Sequence, residues 1–252
     1  HLAAELKHSE TAFVRQINPT TFALRYFTPL SEVDLCGHAT LAAFTMLRQS
    51  QVISPGQYWA HTSAGILAVS VTAELIWFEV APPQLVHTFC PSQYAELYQA
   101  LGLTPLAKPE NLLPQIVSVG LSDILLPVRN QDLLQSAQLD REQVMRFSQK
   151  YQVTGVHLYC LSQTADYTAH CRNFAPLYGI DEEAATGTAS AALTYSLRSQ
   201  GILKDAQINT FSQGEALNRP SLIYTRFDDQ RIQVGGQACL LLSARLYPCA
   251  DA

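Results

Sequence analysis

The chain repeats part of itself. Arg25-Tyr-Phe-Thr-Pro-Leu-Ser-Glu-Val-Asp34 reads against Arg172-Asn-Phe-Ala-Pro-Leu-Tyr-Gly-Ile-Asp181, 172 − 25 = 147 residues later, with five matches in ten. Gly37-His-Ala-Thr-Leu-Ala-Ala-Phe-Thr-Met-Leu-Arg48 then reads against Gly187-Thr-Ala-Ser-Ala-Ala-Leu-Thr-Tyr-Ser-Leu-Arg198 at an offset of 187 − 37 = 150, with five matches in twelve. Two copies are too few for a solenoid, which needs three or more. They predict two like lobes that face each other. Each copy has one plan: an extended segment (Thr21–Thr28; Thr168–Ala175), a Pro-containing loop, a small Gly-bearing turn, and a helix from Ala39 to about Arg48 or Ala189 to about Arg198. The helices are apolar around most of their circumference, which predicts burial on all sides. A curved sheet wrapped around each helix is the simplest setting.

Other segments supply strands and surface helices. Gly65–Thr72 with Leu75–Val80, and Leu222–Phe227 with Arg231–Val234, read as hairpins, and Pro82-Pro83 ends the first because proline cannot donate to a ladder. Helical periodicity at Ser92–Leu101 and Arg141–Tyr151 predicts one surface helix per lobe, and His1–Lys7 reads as a helix already under way. The Pro-punctuated stretch Ala107–Gln115 is the expected linker. The expected fold class is α+β in two pseudo-symmetric lobes, 1–110 and 111–252, with the last strand returning to the first lobe.

Composition narrows the partners. A chain of 252 residues that is 48% hydrophobic and 15% charged is globular in character, and it has no apolar run of the ~18–20 residues a membrane helix needs. Net charge is −5, and the 16 Lys and Arg are scattered without a basic stripe, which argues against nucleic acid. The six cysteines (36, 90, 160, 171, 239 and 249) are irregularly spaced and contain no CxxC. That gives poor support to a zinc site or a disulfide framework and points to a reduced, cytoplasmic protein without a metal.

The chemistry is expected at the two Gly-turns. The first N–H groups of a helix lack intrahelical partners and sit at the positive end of the macrodipole, and a preceding glycine admits a ligand close to the backbone. Cys36-Gly37-His38-Ala39-Thr40 and Thr186-Gly187-Thr188-Ala189-Ser190 are therefore two candidate anion sites for a carboxylate substrate. The alternative is ordinary capping by Thr40, Thr188 or Ser190. His38 is a candidate hydrogen-bond donor or proton shuttle. Asp181-Glu182-Glu183 reads either as a solvated cap or as the source of one acid in the cleft, and Glu10 either as a surface turn residue or as an acid at a helix-to-strand junction. Cys36 has Thr186 as its counterpart. A racemase with a thiol on each face of its substrate is thus disfavoured, and a single base remains.

Ser9-Glu-Thr-Ala-Phe-Val14, Arg25-Tyr-Phe-Thr-Pro29, Val33-Asp-Leu-Cys-Gly-His-Ala-Thr40, Gly179-Ile-Asp-Glu-Glu-Ala-Ala-Thr-Gly-Thr-Ala189, and Gln213-Gly214 with Arg219-Pro220-Ser221 together resemble, in order, the PhzF family of phenazine-biosynthesis-like proteins. The resemblance implies a diaminopimelate-epimerase-like fold, each lobe a curved mixed sheet around a central helix with the active site between lobes. It implies a cofactor-independent isomerase and a homodimer. The family's catalytic glutamate falls on Glu10, its preceding serine on Ser9, its Gly-His pair on Gly37 and His38, its second-lobe acid on Glu183, and its Gly-Ser pair on Gly187 and Thr188. Ala39 and Thr40 complete the first anion-binding turn. Two replacements, Glu183 for aspartate and Thr188 for serine, point to a different substrate. The family's usual opening strand precedes anything present here, so the first lobe is expected to lack it and to expose a sheet edge. Two alternatives remain open: a racemase, epimerase or dehydratase that depends on Cys36, and a non-catalytic binding protein that keeps the fold. Glu10 as a base calls for a raised pKa.

Overall fold

A computed structural model describes residues 1–204, 207–228 and 231–245, so Cys249 and the tip of the 221–236 hairpin lie outside the described residues. The chain divides into two units, His1–Ile76 with the segment from Gln237, and Trp77–Gly236. The division falls ahead of the 107–115 stretch, which lies inside the second unit as a 3-10 turn at Pro105–Ala107 and a loop leading into a strand.

In the first unit, helix α1 (Leu2–Leu6) leads to strands β1 (Thr11–Asn18), β2 (Thr21–Phe27) and the short β3 (Glu32–Val33). Helix α2 (Gly37–Gln49) and strands β4 (Gly56–Thr62) and β5 (Gly65–Val71) follow. The sheet order is β1-β2-β4-β5, with β3 on β2. β1 and β2 are antiparallel, while β2 and β4 are parallel and joined through α2, since parallel neighbours need a crossover. Phe22, Leu24 and Tyr26 are buried at period two on β2 and face Phe44 of α2; the Phe22 and Phe44 rings meet edge-to-face at 5.7 Å.

The second unit runs β6 (from Ile76 to Glu79), β7 (Gln84–Thr88), α3 (Pro91–Gln99), β8 (Gln115–Ser118), β9 (Ser122–Pro127), α4 (Gln131–Ser136) and α5 (Arg141–Tyr151). It continues with β10 (Val156–Leu161), β11 (Ala169–Ala175), β12 (Ile180–Glu183), α6 (Gly187–Ser199), β13 (Ile208–Gln213), β14 (Ser221–Asp228) and β15 (Arg231–Gly236). Its sheet order is β6-β15-β14-β13-β11-β10-β9-β8-β7, with β12 on β11. α6 packs on β8, β9, β14 and β15, while α3 and α5 share a core with the sheet through Tyr98, Phe147, Ile124 and Leu158. A sheet covered on both faces has strands buried nearly throughout, as β8, β9 and β10 are. Both expected surface helices, α3 and α5, therefore belong to the second unit rather than one to each.

The repeat is a structural repeat. β2–β3–α2–β4 matches β11–β12–α6–β13, with antiparallel short strands, 13-residue helices and a parallel return in both. Burial of the helices differs from expectation in one copy. α6 is buried at every position from Ala189 to Thr194, whereas α2 leaves Ala42 and Met46 exposed. α6 has β8, β9, β14 and β15 of the longer second sheet packed against it, whereas α2 packs on β1.

Candidate active site

Pairing brings Glu10 to the start of α2. Thr11 pairs with Phe27, so Glu10 sits just beyond the end of β2, where the chain turns through Thr28–Ser31 into β3 and then into the Gly-turn. Arg25 holds that turn with two bonds to Glu32, at 2.7 and 2.6 Å. Beneath it, a buried relay fixes the backbone: Tyr26 donates its hydroxyl to Thr40 Oγ1 at 2.6 Å, and Thr40 donates to the Cys36 carbonyl at 2.8 Å. Burial pushes the Tyr26 phenol up to about 12, so it stays a donor.

Three chemically distinct side chains meet there. His38 Nε2 lies 3.0 Å from Glu10 Oε2 and 3.5 Å from Cys36 Sγ. The approach to Glu10 is close but off the line along which a ring N–H donates, and the buried Oε2 has no hydrogen bond. The Glu10 side chain is 20% exposed and that of His38 49%, so the cluster opens to solvent through the imidazole. Ser9 is exposed next to it. α2 starts at Gly37 with Cys36 as the residue before it, and no side chain caps its first N–H groups. The capping alternative thus fails at Thr40. Its hydroxyl points back to the Cys36 carbonyl, and its N–H is bonded to the same carbonyl at 3.0 Å. Thr40 is fully buried and shapes the turn instead of presenting a group to a ligand; Gly37 and Ala39 contribute backbone only.

The second Gly-turn is built the same way and carries different chemistry. α6 starts at Gly187 after Thr186, again with no side-chain cap, and Ser190 donates back to the Thr186 carbonyl at 3.0 Å as Thr40 does to Cys36. Thr186 donates to Glu183 Oε2 at 2.8 Å, and buried Gln213 ties both ends of the turn through Glu183 O at 2.7 Å and Thr186 N at 3.2 Å. Gly214 follows at φ +91°, where a Cβ would strike the Arg219 and Ala184 carbonyls, so the chain leaves this clamp only as glycine. Thr188 is half-buried at the second position of the helix, matching His38.

The repeat also identifies the counterpart of Glu10. Thr11 pairs with Phe27; Phe27 maps to Phe174, which pairs with Val156; the residue before Val156 is Gly155. A Cβ at Gly155 would overlap the Phe174 carbonyl, so no acid can stand there. Nearby, a set of groups that sequence reasoning missed is buried between strands. Asp123 on β9 is pushed up to about 7 by burial and by the charge of Glu183, against the pull of the Gly155 N–H, and its Oδ1 has no partner. His157 on β10 is lowered to about 4 by burial, with Nδ1 3.0 Å from Asn173 Oδ1. Their only sequence signal is that polar residues interrupt otherwise apolar strand runs.

The profile of the family described as phenazine biosynthesis-like protein, PhzC-PhzF, matches residues 1–244. An uncharacterized isomerase of Clostridium acetobutylicum is 29% identical over 260 residues, covering 97% of this chain and 86% of that protein. A second, of Deinococcus radiodurans, is 30% identical over 253 residues, covering 95% and 81%. The crystal structure of a phenazine biosynthesis protein of the PhzF family from Bacillus anthracis superposes with a TM-score of 0.83 at 25% identity, covering 94% of this chain and 84% of that one. A hydroxyproline epimerase of Agrobacterium vitis superposes at 0.56 with 11% identity and shares the fold. Among the described residues no helix is long and apolar enough to cross a membrane.

Proposed function

We propose, from the premise that this chain belongs to the PhzC-PhzF family of phenazine biosynthesis-like proteins and is an isomerase, that it moves a proton between two carbons of a small carboxylate without a cofactor. Glu10 takes the proton as general base and returns it as general acid. The observation that carries this reading is the buried, unbonded Oε2 of Glu10 beside His38, because a base needs a lone pair that no other donor occupies. His38, half-exposed, exchanges that proton with solvent or orients the carboxylate. The uncapped N–H groups at Gly37 to Ala39 hold the substrate's negative charge and the charge that develops as the C–H bond breaks, and the N-terminal dipole adds to their effect. Ser9 flanks the substrate beside Glu10; in the second unit, Gly187 and Thr188 begin a like turn with no side-chain cap, where Thr186 holds Glu183.

The asymmetry of the repeat supports a single base. Glu10 maps to Gly155, Cys36 to Thr186 and His38 to Thr188, so the second copy has no acid–base pair of its own at these positions. A thiol mechanism has one specific observation in its favour, the 3.5 Å contact of Cys36 Sγ with His38 Nε2. Yet Cys36, Glu10 and His38 present their ligand atoms within 4.8 Å of one another, so they reach the same side of a bound molecule. Inversion by two opposed bases is not available to such a set.

The test is solvent-proton exchange. A panel of small carboxylates whose C–H bond is acidified by an adjacent carbonyl or double bond is incubated in D₂O with the protein, and deuterium incorporation is read by mass spectrometry. The wild type is expected to label at least one member, Glu10→Gln to lose that labelling by a factor of about 10²–10⁴, and Cys36→Ala to retain it. Full labelling by Glu10→Gln removes Glu10 as the base, and loss in Cys36→Ala transfers the role to the thiol.

A further inference from the structure

We propose that Asp123 and Glu183 form a pH-responsive latch on the second Gly-turn, in which ionisation of Asp123 loosens the hold of Glu183 on Thr186. Asp123 is a positioning residue in this scheme, acting through Glu183. The latch is independent of whether Glu10 moves a proton.

Register puts the groups together. Glu183 on β12 pairs with Asn173 on β11, Asn173 pairs with His157 on β10, and His157 pairs with Leu125 on β9. Side chains alternate along a strand, so Asp123, two residues before Leu125, shares a face with all of them. Ile124 and Leu126 point the other way, into the core shared with α3 and α5, and α6 packs on β9 from the side of Asp123. Asp123 is 1% exposed and its Oδ1 has no hydrogen-bond partner, a setting that favours the neutral acid over a buried anion. Glu183, half-buried, is the charged group whose field bears on it. The other titratable groups on this face are His157 and Tyr159 on β10 and Cys171 on β11. Burial holds all three uncharged near neutral pH, lowering His157 to about 4 and raising the phenol and the thiol. The buried stretch of α6 from Ala189 to Thr194 carries no ionisable side chain, and neither does β8.

The hydrogen bonds at the turn run one way. Gln213 Oε1 accepts from the Thr186 N–H at 3.2 Å, which fixes the amide so that its Nε2 donates to Thr186 Oγ1 at 3.0 Å. Thr186 then donates its own proton to Glu183 Oε2, 2.8 Å away, a bond that is stronger to a carboxylate than to an acid. With Asp123 neutral, the pair carries one negative charge, on Glu183. Once Asp123 ionises, at about 7, two like charges share a poorly solvated site. Glu183 then takes up a proton or turns away, and either change weakens its hold on the backbone ahead of Gly187. The first copy is built differently here: Val33 stands opposite Tyr26 where Glu183 stands opposite Asn173, and Tyr26 reaches Thr40 instead.

The experiment follows amide hydrogen exchange in the full chain from pH 6 to pH 8, as protection relative to the intrinsic rate at each pH, with amides of α5 as the reference for global opening. The reporters are the Thr186 N–H, bonded to Gln213, and the Ser190 N–H, bonded to the Thr186 carbonyl. Their protection is expected to fall about tenfold across this range in wild type, the effect of a repulsion of about one pKa unit. Asp123→Asn and Glu183→Gln are each expected to flatten that dependence. His157→Gln and His170→Asn, at histidines on β10 and β11, are expected to keep it. A flat wild-type profile overturns the proposal, as does a dependence that survives in Asp123→Asn or that His170→Asn abolishes. Glu183→Gln alters a half-buried side chain away from β9, so if Asp123→Asn does not fold, a dependence that survives in Glu183→Gln overturns the proposal by itself. No substrate enters this measurement, so its outcome bears on Asp123 and leaves the role of Glu10 untouched.

Discussion

Arg25 pairs with Glu32 and lies over the Phe27 ring at 5.0 Å; in the second copy Arg172 pairs with Glu182 and lies over the Phe174 ring at 4.9 Å. The residues that hold the backbone of the two copies have kept their contacts. Those able to move a proton have not: Glu10, Cys36 and His38 stand in one copy, and Gly155, Thr186 and Thr188 in the other. The shared framework provides two helix starts without a side-chain cap, and the residue types able to move a proton stand at one of them. On the proposed reading, a duplicated scaffold transfers a proton in one half only.

The sharpest way to break that division is to give the first turn the residue of the second. His38→Thr is expected to lower deuterium incorporation by about 10²–10⁴, the range of acid–base catalysis, with the thermal midpoint unchanged because His38 is half-exposed. Thr188→His in that background is expected to restore nothing, since Gly155 stands where an acid partner would be needed. Recovery of labelling in the double variant would show that the two turns are interchangeable.

The echoed ion pairs offer the next test, because the same interaction sits in two environments. The side chains of Arg172 and Glu182 are 12% and 11% exposed, and Arg172 also donates to the carbonyls of Leu134, Gln135 and Ala137. The side chains of Arg25 and Glu32 are 63% and 33% exposed. Removing one member of a buried pair leaves a charge and several acceptors unsatisfied, so Arg172→Ala is expected to cost about 3–5 kcal/mol in chemical denaturation. Arg25→Ala is expected to leave the denaturation midpoint within error of wild type. Equal losses would mean that the first pair is as shielded as the second.

The legible part of this molecule was what repeats locally. The two helices begin at Gly37 and Gly187, two residues ahead of the expected Ala39 and Ala189, and end one residue beyond Arg48 and Arg198, and the extended segments before them are β2 and β11. Glu10, Cys36 and His38 stood out as residue types, but their meeting depends on the β1–β2 register, which the sequence does not state. Thr40 and Ser190 looked like caps because hydroxyls at a helix start often are. In the fold both bond back to a carbonyl instead. The exposed face of α2 was invisible because an apolar helix carries no record of how many strands cover it. Asp123, His157 and Asn173 were missed for a related reason: β9, β10 and β11 come from separate stretches of chain, and buried polar groups there look like isolated interruptions of strands.

Those buried groups make the smallest predicted effect and the most specific one, because Asp123 lies on β9, a neighbour of β10 with no equivalent beside β1 among the described residues. Asp123 has its pKa raised in the folded state to about 7, so between about 4 and 7 the folded protein binds more protons than the unfolded chain, and this group's contribution to stability falls as pH rises. His157 has its pKa lowered to about 4, so between about 4 and 6.5 the unfolded chain binds more protons, and its contribution rises with pH. The two slopes oppose each other over nearly the same window, each worth a few kcal/mol at 1.36 kcal/mol per unit. Asp123→Asn is therefore expected to make the urea midpoint fall more steeply than in wild type on acidification from pH 7 to 4.5, and His157→Gln to make it fall less or rise. The comparison is made variant against wild type at each pH, which cancels the carboxylates common to all three proteins. Parallel midpoint–pH curves for all three would show that neither group is shielded from water, and that the extra strand of the second unit adds no electrostatic strain of its own.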